Sequence, residues 1–192
     1  MAAAKNMPPA IILCGGKGTR LRDVTELLPK PLVPIGTHPV LWHIMRSYSA
    51  FGVKRFILCL GYKKETFVDY FLNFSAREND VTIKLGHPPK MTFHGKREEE
   101  DWEVTLADTG LESCTATRIR IASKYLKSTD RRFFLTYGDG VADVNIDQLS
   151  FELVKIPLQL FGRLSYLLKT SSLTDRRSSR RRVTSQYMVL GD

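Results

Sequence analysis

Residues 10–21 read Ala-Ile-Ile-Leu-Cys-Gly-Gly-Lys-Gly-Thr-Arg-Leu. The first five residues are apolar without interruption, which is typical of a strand buried on both faces of a parallel sheet. The glycines that follow favour a loop, because they lack the side chain that restricts the backbone. We therefore interpret this stretch as the first strand of an α/β domain, followed directly by a glycine-rich loop.

Further strand signals recur along the chain as far as about residue 150. Buried strands are predicted at residues 55–60 and 133–137, and the alternation of residues 102–108 predicts a half-buried strand. Residues 87–101 break the periodicity, and we expect them to form an exposed excursion from the sheet. Because helical segments separate the strands, the sequence predicts an α/β fold with a mostly parallel sheet.

Three helices are predicted between these strands. Residues 39–51 carry apolar side chains at helical spacing and are followed by Gly52, and residues 64–74 form a second helical pattern with phenylalanines on one face. The third helix is expected to bury Ile119, Ala122 and Leu126 and to be capped by Thr115 or Thr117.

The glycine-rich loop contains Gly15, Gly16 and Gly18, with Lys17 and Arg20 between and beyond them. Backbone N–H groups of such a loop can surround phosphate oxygens, and the two cations suit a polyphosphate. The spacing matches neither the G-x-x-x-x-G-K-[ST] loop nor the G-x-G-x-x-G dinucleotide turn. We interpret the loop as a polyphosphate site of another type, and the alternative is a tight turn with solvated charges.

Two further motifs carry groups that suit phosphate and metal chemistry. Lys30 lies between Pro29 and Pro31, and the two fixed φ angles are expected to hold it on a stiff, extended segment. The alternative for this tripeptide is an ordinary surface loop. Asp139 lies between two glycines behind a predicted strand, at the sheet edge where α/β proteins bind ligands, and could hold Mg²⁺. The alternative for Asp139 is a turn-forming role.

The order and spacing of the three motifs resemble the sugar-nucleotide pyrophosphorylases, a family of nucleotidyltransferases. The segments that carry this resemblance are residues 15–21, 29–31 and 138–140. A narrower resemblance, to glucose-1-phosphate cytidylyltransferases, rests on residues 40–45, 61–63, 102–110 and 137–146. It covers about residues 9–150.

The resemblance implies a Rossmann-like nucleotidyltransferase fold, Mg²⁺ as cofactor, and the conversion of CTP and α-D-glucose 1-phosphate into CDP-glucose and pyrophosphate. It also implies roles for particular residues. Arg20 and Lys30 would act at the reacting phosphates, and Asp139 would bind the metal. The nucleotide would be held by Leu13, Gly15, Gly16, Gly18, Thr19, Arg20 and Arg118. Trp42 and His43 are expected to be packing residues.

The family pattern stops near residue 150, although members of the family continue with a sugar-binding half. We therefore divide the chain into an N-terminal extension (1–8), a nucleotide-binding domain (9–150) and an atypical basic tail (151–192). The tail is expected to be disordered or to result from a shifted reading frame, which sequencing of the coding DNA tests. A smaller departure is Thr115-Ala116-Thr117-Arg118, where the family usually has Thr-Gly-Gly-Arg.

Composition and charge restrict the partners. Of the net charge of +9, residues 152–192 carry +5. Aromatic residues for stacking on bases are scarce there, so nucleic acid is not the expected partner. No apolar run approaches the roughly 18 residues of a membrane span, and the N-terminal apolar stretch is too short for a signal peptide. A cytoplasmic protein with reduced core thiols at Cys14, Cys59 and Cys114 is expected.

Three functions remain open at this level. The first is an active cytidylyltransferase, impaired to the extent that the sugar-binding half is lost. The second is a non-catalytic nucleotide-binding remnant that associates with a full-length homologue. The third is a basic nucleic-acid-binding protein. Homo-oligomerisation is expected from the resemblance of residues 87–108 to a segment through which family members associate.

Overall fold

The computed structural model describes residues 7–16, 28–95, 101–130, 132–141, 146 and 188–191. The strands are β1 (Ala10–Leu13), β2 (Pro34–Ile35), β3 (His38–Pro39), β4 (Arg55–Leu60), β5 (Asp80–Lys84), β6 (Lys90–His94), β7 (Glu103–Asp108), β8 (Arg132–Tyr137) and β9 (Met188–Gly191). The helices are α1 (Val40–Ala50), α2 (Lys64–Leu72), α3 (Phe74–Glu78) and α4 (Thr115–Ala122), with 3-10 turns at Lys30–Leu32 and Ser123–Tyr125.

The central sheet has the strand order β7-β4-β1-β8-β9. Its first four strands are mutually parallel, whereas β9 runs antiparallel to β8. The four side chains of β1 are buried because β4 and β8 flank it and helices cover both faces. The predicted α/β fold with a mostly parallel sheet is therefore confirmed.

Side chains of β1 alternate between two hydrophobic clusters. Ile12 packs on one face with the buried side of α1, and Ile11 packs on the other face with Ile119 and Ala122 of α4. This layering explains why β1 has no polar position. In β7, Ala107 is fully buried. The predicted strand over residues 102–108 ends at the expected residue and begins one residue later than expected, and its second face is partly covered as well.

Two predicted helices differ from the observed ones in detail. The predicted helix over residues 64–74 is interrupted at Asn73, whose side-chain amide donates to the Asp69 carbonyl oxygen at 2.8 Å. A side chain that binds a helical carbonyl in this way competes with continuation of the helix. In α4 the N-cap is Cys114 rather than a threonine, with Thr115 as the first helical residue.

The excursion contains regular structure that the sequence did not reveal. Strand β6 pairs antiparallel with β5, so that part of residues 87–101 belongs to a hairpin. Every side chain of β6 is exposed, as expected for an excursion. The prediction missed the hairpin because its pairing adds no burial that the sequence pattern would show. None of the helices in the described residues is both long enough and apolar enough to span a membrane.

Candidate functional site

The site lies where the direction of strand addition reverses. Along the chain, β4 and β7 are added on one side of β1, and β8 is added on the other side. Loops that leave the carboxyl ends of two such strands diverge and open a crevice, which is where open α/β sheets bind ligands. Gly15 and Gly16 follow β1 at this edge, and Gly138 and Asp139 follow β8.

A cavity of about 220 Å³ occupies this crevice. It is lined by Leu13, Cys14, Gly15, Gly16, Lys30, Pro31, Thr115, Arg118, Tyr137 and Asp139. The six predicted site residues that the structure describes, namely Leu13, Gly15, Gly16, Lys30, Arg118 and Asp139, all line this one pocket. The other three predicted site residues, Gly18, Thr19 and Arg20, lie outside the described residues. Their roles stay predictions.

Gly138 allows the two strand ends to approach each other. A Cβ built there would lie 2.9 Å from Cys14 Sγ and 3.2 Å from Pro31 Cγ, which is closer than side-chain atoms pack. The backbone of Gly138 also donates to the Leu13 carbonyl oxygen at 3.0 Å. Because Gly138 has no side chain, the end of β8 can approach Cys14 and Pro31 closely. Asp139 and Lys30 therefore line the same pocket.

Lys30 begins a 3-10 turn and does not lie on an extended segment. The prediction of an extended conformation was wrong, because Lys30–Leu32 form a 3-10 turn in which Val33 N donates to Lys30 O at 3.1 Å. The φ of proline is compatible with such a turn, and Pro31 and Leu32 are buried beneath it. Lys30 lines the pocket, and no carboxylate of the described part of the chain pairs with it.

Arg118 forms the buried wall of the pocket. It is only 5% exposed. Its Nη1 donates to the Leu60 carbonyl oxygen at 3.2 Å and to Thr109 Oγ1 at 2.8 Å, and its Nη2 donates to the Leu111 carbonyl oxygen at 3.0 Å. Among the described residues these three acceptors are all uncharged, so none of them is a counter-ion for the guanidinium.

The glycines next to Arg118 explain how a buried guanidinium fits there. A Cβ on Gly15 would lie 2.6 Å from Arg118 Cζ, and a Cβ on Gly61 would lie 2.7 Å from Arg118 Nη1. Gly61 directly follows β4, and Gly15 lies two residues after the end of β1, so a glycine close behind a buried strand is the sequence signal that points to this position. Neither Gly61 nor Thr109 is among the site residues predicted from the sequence.

Asp139 is the acidic residue of the pocket lining, and it is exposed to solvent. Its carboxylate fits Mg²⁺, which is commonly held by one or two carboxylates together with substrate phosphates and water. Within the described residues no three His, Cys, Asp or Glu side chains cluster as a complete metal site. Burial raises the pKa of the Cys14 thiol well above its usual value, with smaller contributions from Cys59 and Asp139. Cys14 therefore stays neutral.

A surface ion pair joins the first residue of α2 to the last residue of β7. Lys64 Nζ lies 2.6 Å from Asp108 Oδ2, and the backbone N–H of Gly110 donates to Asp108 Oδ1 at 3.1 Å. The hydrogen bond from Lys64 lowers the pKa of Asp108, and the same bond raises the pKa of Lys64. This pair ties the start of α2 to the end of β7, beside the loop whose carbonyl binds Arg118.

The two aromatic residues expected to pack lie away from this pocket. Trp42 stacks on His38 at a centroid distance of 4.1 Å, and His43 Nε2 lies 3.0 Å from the Ile35 carbonyl oxygen. Neither Trp42 nor His43 lines the pocket. Both therefore pack the strand pair β2–β3 onto α1, as expected.

Known proteins share the segment that builds this site. The model of the nucleotidyl transferase family matches residues 9–151. Over 137 residues the chain is 48% identical to the glucose-1-phosphate cytidylyltransferase of Salmonella typhimurium, covering 71% of this chain and 52% of that protein. The chain thus spans about half the length of this curated relative. Over 141 residues it is 30% identical to the mannose-1-phosphate guanyltransferase of Emericella nidulans, covering 73% of this chain and 33% of that protein.

A solved structure resembles the chain in fold. The crystal structure of HddC from Yersinia pseudotuberculosis in complex with GMP-PN superposes with a TM-score of 0.56 at 24% sequence identity. The match covers 78% of this chain and 55% of HddC. At this level of identity the likeness concerns the fold alone.

Proposed function

Because the chain belongs to the nucleotidyl transferase family, we propose that its pocket binds CTP and transfers the cytidylyl group to α-D-glucose 1-phosphate. A phosphate oxygen of the sugar phosphate attacks the α-phosphorus of CTP. The bond from that phosphorus to the β-phosphate oxygen breaks, and the products are CDP-glucose and pyrophosphate. The observation that carries the proposal is the convergence of glycine backbone, Lys30, Arg118 and Asp139 on one crevice.

The reaction needs little chemistry from side chains. A sugar phosphate is already an anionic nucleophile at neutral pH, so no general base is required. The protein has to align the two substrates and neutralise the charge that accumulates around the α-phosphorus. Backbone N–H groups of Gly15 and Gly16 suit the phosphate oxygens, and Lys30 supplies a cation from a rigid turn.

The remaining predicted site residues would bind the nucleotide, the metal ion and the departing pyrophosphate. Arg118 would hold the nucleotide from the buried wall. Asp139 would hold Mg²⁺, which when bound neutralises charge on the triphosphate. Gly18 and Thr19 would extend the phosphate cradle, and Arg20 would bind the departing pyrophosphate.

The identities of base and sugar rest on relatives. The cytidylyltransferase of Salmonella typhimurium shares 48% identity over the segment, against 30% for the guanyltransferase of Emericella nidulans, and we therefore favour CTP over GTP. A thermal-shift comparison of CTP, UTP, dTTP and GTP with Mg²⁺ tests this choice. Stabilisation by CTP alone is expected, whereas an equal response to all four nucleotides contradicts it.

Pyrophosphate release tests the reaction itself. The full chain is incubated with CTP, glucose 1-phosphate and Mg²⁺, and pyrophosphate is measured by a coupled assay. The control variant is Lys30→Ala, which removes the cation from the pocket. Release well above the variant is expected, because one preorganised donor at a reacting centre contributes roughly 100-fold or more in rate. Wild-type release equal to that of Lys30→Ala rejects the activity.

A second candidate function is nucleotide binding without turnover, in association with a full-length homologue. It is favoured by the pocket lining, which in the described part of the chain contains Asp139 as its acidic residue and therefore one carboxylate for a metal. Thermal stabilisation by Mg²⁺ and CTP without pyrophosphate release distinguishes this function from catalysis. Copurification of the chain with a full-length homologue, tested by coexpression, addresses the association.

Self-association and a cytoplasmic location complete the proposal. The hairpin β5–β6 exposes apolar side chains on one of its faces, with Ile83 50% and Met91 59% exposed. Such a face suits a second copy of the chain.

Sugar 1-phosphates and nucleoside triphosphates are cytoplasmic metabolites, which favours a cytoplasmic location for the chain. Cell fractionation tests this location.

A further inference from the structure

We propose that Thr109 is a positioning residue, whose hydroxyl group holds the Arg118 guanidinium in the orientation that a nucleotide requires. This inference rests on the proposed function, in which Arg118 meets the nucleotide. Thr109 directly follows β7 and is only 1% exposed. It does not line the pocket, so it acts on a ligand through Arg118 and not by contact.

The direction of the two hydrogen bonds at Thr109 is determined by chemistry. Thr109 Oγ1 lies 2.6 Å from the Leu60 carbonyl oxygen and 2.8 Å from Arg118 Nη1. A hydroxyl group has one hydrogen, a carbonyl can only accept, and a guanidinium can only donate. The hydroxyl hydrogen therefore points to Leu60, and an oxygen lone pair faces Arg118. Rotation about the stiff χ1 of threonine would break both bonds at once.

The guanidinium retains donors for a ligand after these bonds are made. Three of its five N–H groups are used by acceptors in the described residues, at Leu60, Thr109 and Leu111. Two N–H groups and the whole positive charge remain. A cation whose orientation is set before the ligand arrives costs little reorganisation on binding, which is what phosphate recognition favours.

The contribution of Thr109 to this orientation is larger than that of the two carbonyls. Its bond to Arg118 is the shortest of the three. The Leu60 carbonyl oxygen is also shared with the backbone N–H of Thr109 at 3.0 Å. Without the hydroxyl, the guanidinium keeps the two longer bonds, and Gly15 and Gly61, which lie against it, have no side chain that could hold its orientation.

Two substitutions separate the hydroxyl group from the shape of the side chain. Thr109→Val keeps the shape and removes the hydroxyl, and Thr109→Ser keeps the hydroxyl and removes the methyl. Binding of CTP with Mg²⁺ to the full chain is measured by calorimetry, at a temperature where circular dichroism shows each variant to be folded. The Kd is expected to rise about tenfold for Thr109→Val, the effect of one hydrogen bond to a charged group, and to stay within about twofold for Thr109→Ser. The opposite order, or no change for Thr109→Val, overturns the inference.

A double-mutant cycle tests the same contact without any nucleotide. Urea unfolding is measured for the wild type, Thr109→Val, Arg118→Met and the double variant. We expect Thr109→Val to lower the equilibrium constant for folding in both backgrounds. The decrease should be about tenfold larger in the wild-type background than in the Arg118→Met background. Additive effects overturn the inference. If the wild type binds no CTP, the proposed function is wrong, and this cycle still decides whether Thr109 holds Arg118.

Discussion

At Gly15 the backbone of the glycine-rich loop runs against the guanidinium of Arg118. A Cβ built on Gly15 would lie 2.6 Å from Arg118 Cζ, whereas one built on Gly16 would meet nothing within 4 Å. The two adjacent glycines therefore have different structural roles. Gly15 makes room for a buried cation, and Gly16 leaves the pocket open.

Gly15→Ala is expected to destabilise the fold, because the new methyl group displaces a guanidinium that makes three hydrogen bonds in the described residues. The loss should be about 1.5–3 kcal/mol of unfolding free energy, measured by urea denaturation. Gly16→Ala is the matched control and should stay within about 0.5 kcal/mol of the wild type. Equal effects of the two substitutions would show that Arg118 is not fixed at this position.

Besides carrying Arg118, helix α4 determines the surroundings of Cys114, its N-cap residue. Its first turn lies against the exposed thiol of Cys114, whose Sγ is 3.3 Å from Thr117 Oγ1. The side-chain hydrogen bond from Thr117, followed by backbone N–H groups of the same turn, lowers the pKa of Cys114 below its usual 9.0. The expectation of three core thiols was thus correct for two cysteines and wrong for Cys114. Cys114 lies in the loop between β7 and α4, outside the sheet, and its side chain is therefore exposed.

The thiols are expected to react in a definite order. Burial raises the pKa of Cys59 to about 12, and that of Cys14 is raised as well, so neither forms a thiolate at neutral pH. Iodoacetamide at pH 7.5 should therefore label Cys114 in the native chain and all three cysteines after denaturation, as read by mass spectrometry.

The pH dependence of this labelling tests its cause. The alkylation rate of Cys114 should rise with pH through a midpoint below 9.0, because a lowered pKa means that the thiolate forms earlier as the pH increases. Thr117→Val should move that midpoint upward. Thr115→Val is the control, since it alters the same turn without touching the hydrogen bond to Cys114. A midpoint that Thr117→Val leaves unchanged contradicts this assignment.

At the scale of the whole molecule, the hairpin β5–β6 leaves one apolar face uncovered. Val81 pairs across the hairpin with Phe93, and Ile83 pairs with Met91. Side chains of paired residues point to the same face, so these four form one apolar face. In the described residues this face projects from the hairpin without joining either hydrophobic cluster.

Ile83→Lys is expected to weaken self-association without loss of stability. A lysine on the apolar face would place a charge in an interface between copies, whereas in the monomer Ile83 is half exposed. Sedimentation velocity measures the association, and thermal unfolding of the monomer should change by less than about 2 °C. Thr92→Lys, on the opposite face of the hairpin, is the control and should leave association unchanged. A wild-type chain that is monomeric at all concentrations contradicts the proposed interface.

The sequence alone determined the sheet and the positions of its ligand-binding ends. Uninterrupted apolar runs such as residues 10–14, when glycines follow them, indicate strands that are covered on both faces and end in turns. Local patterns of this kind suffice because burial leaves a period in the residues themselves. Lys30 and Asp139 were predicted from the motifs Pro29-Lys30-Pro31 and Gly138-Asp139-Gly140, and both line the pocket.

Only the tertiary structure decided how these residues act together. The need for glycine at Gly61 depends on Arg118, which is far away in sequence, whereas the contact of Thr109 with Arg118 and the 3-10 turn at Lys30 rest on shorter-range hydrogen bonds between single atoms. The hairpin β5–β6 and the cap at Cys114 escaped prediction for a related reason. Pairing between exposed strands and hydrogen bonds to single atoms leave no period in the sequence, so they appear only when the chain is folded.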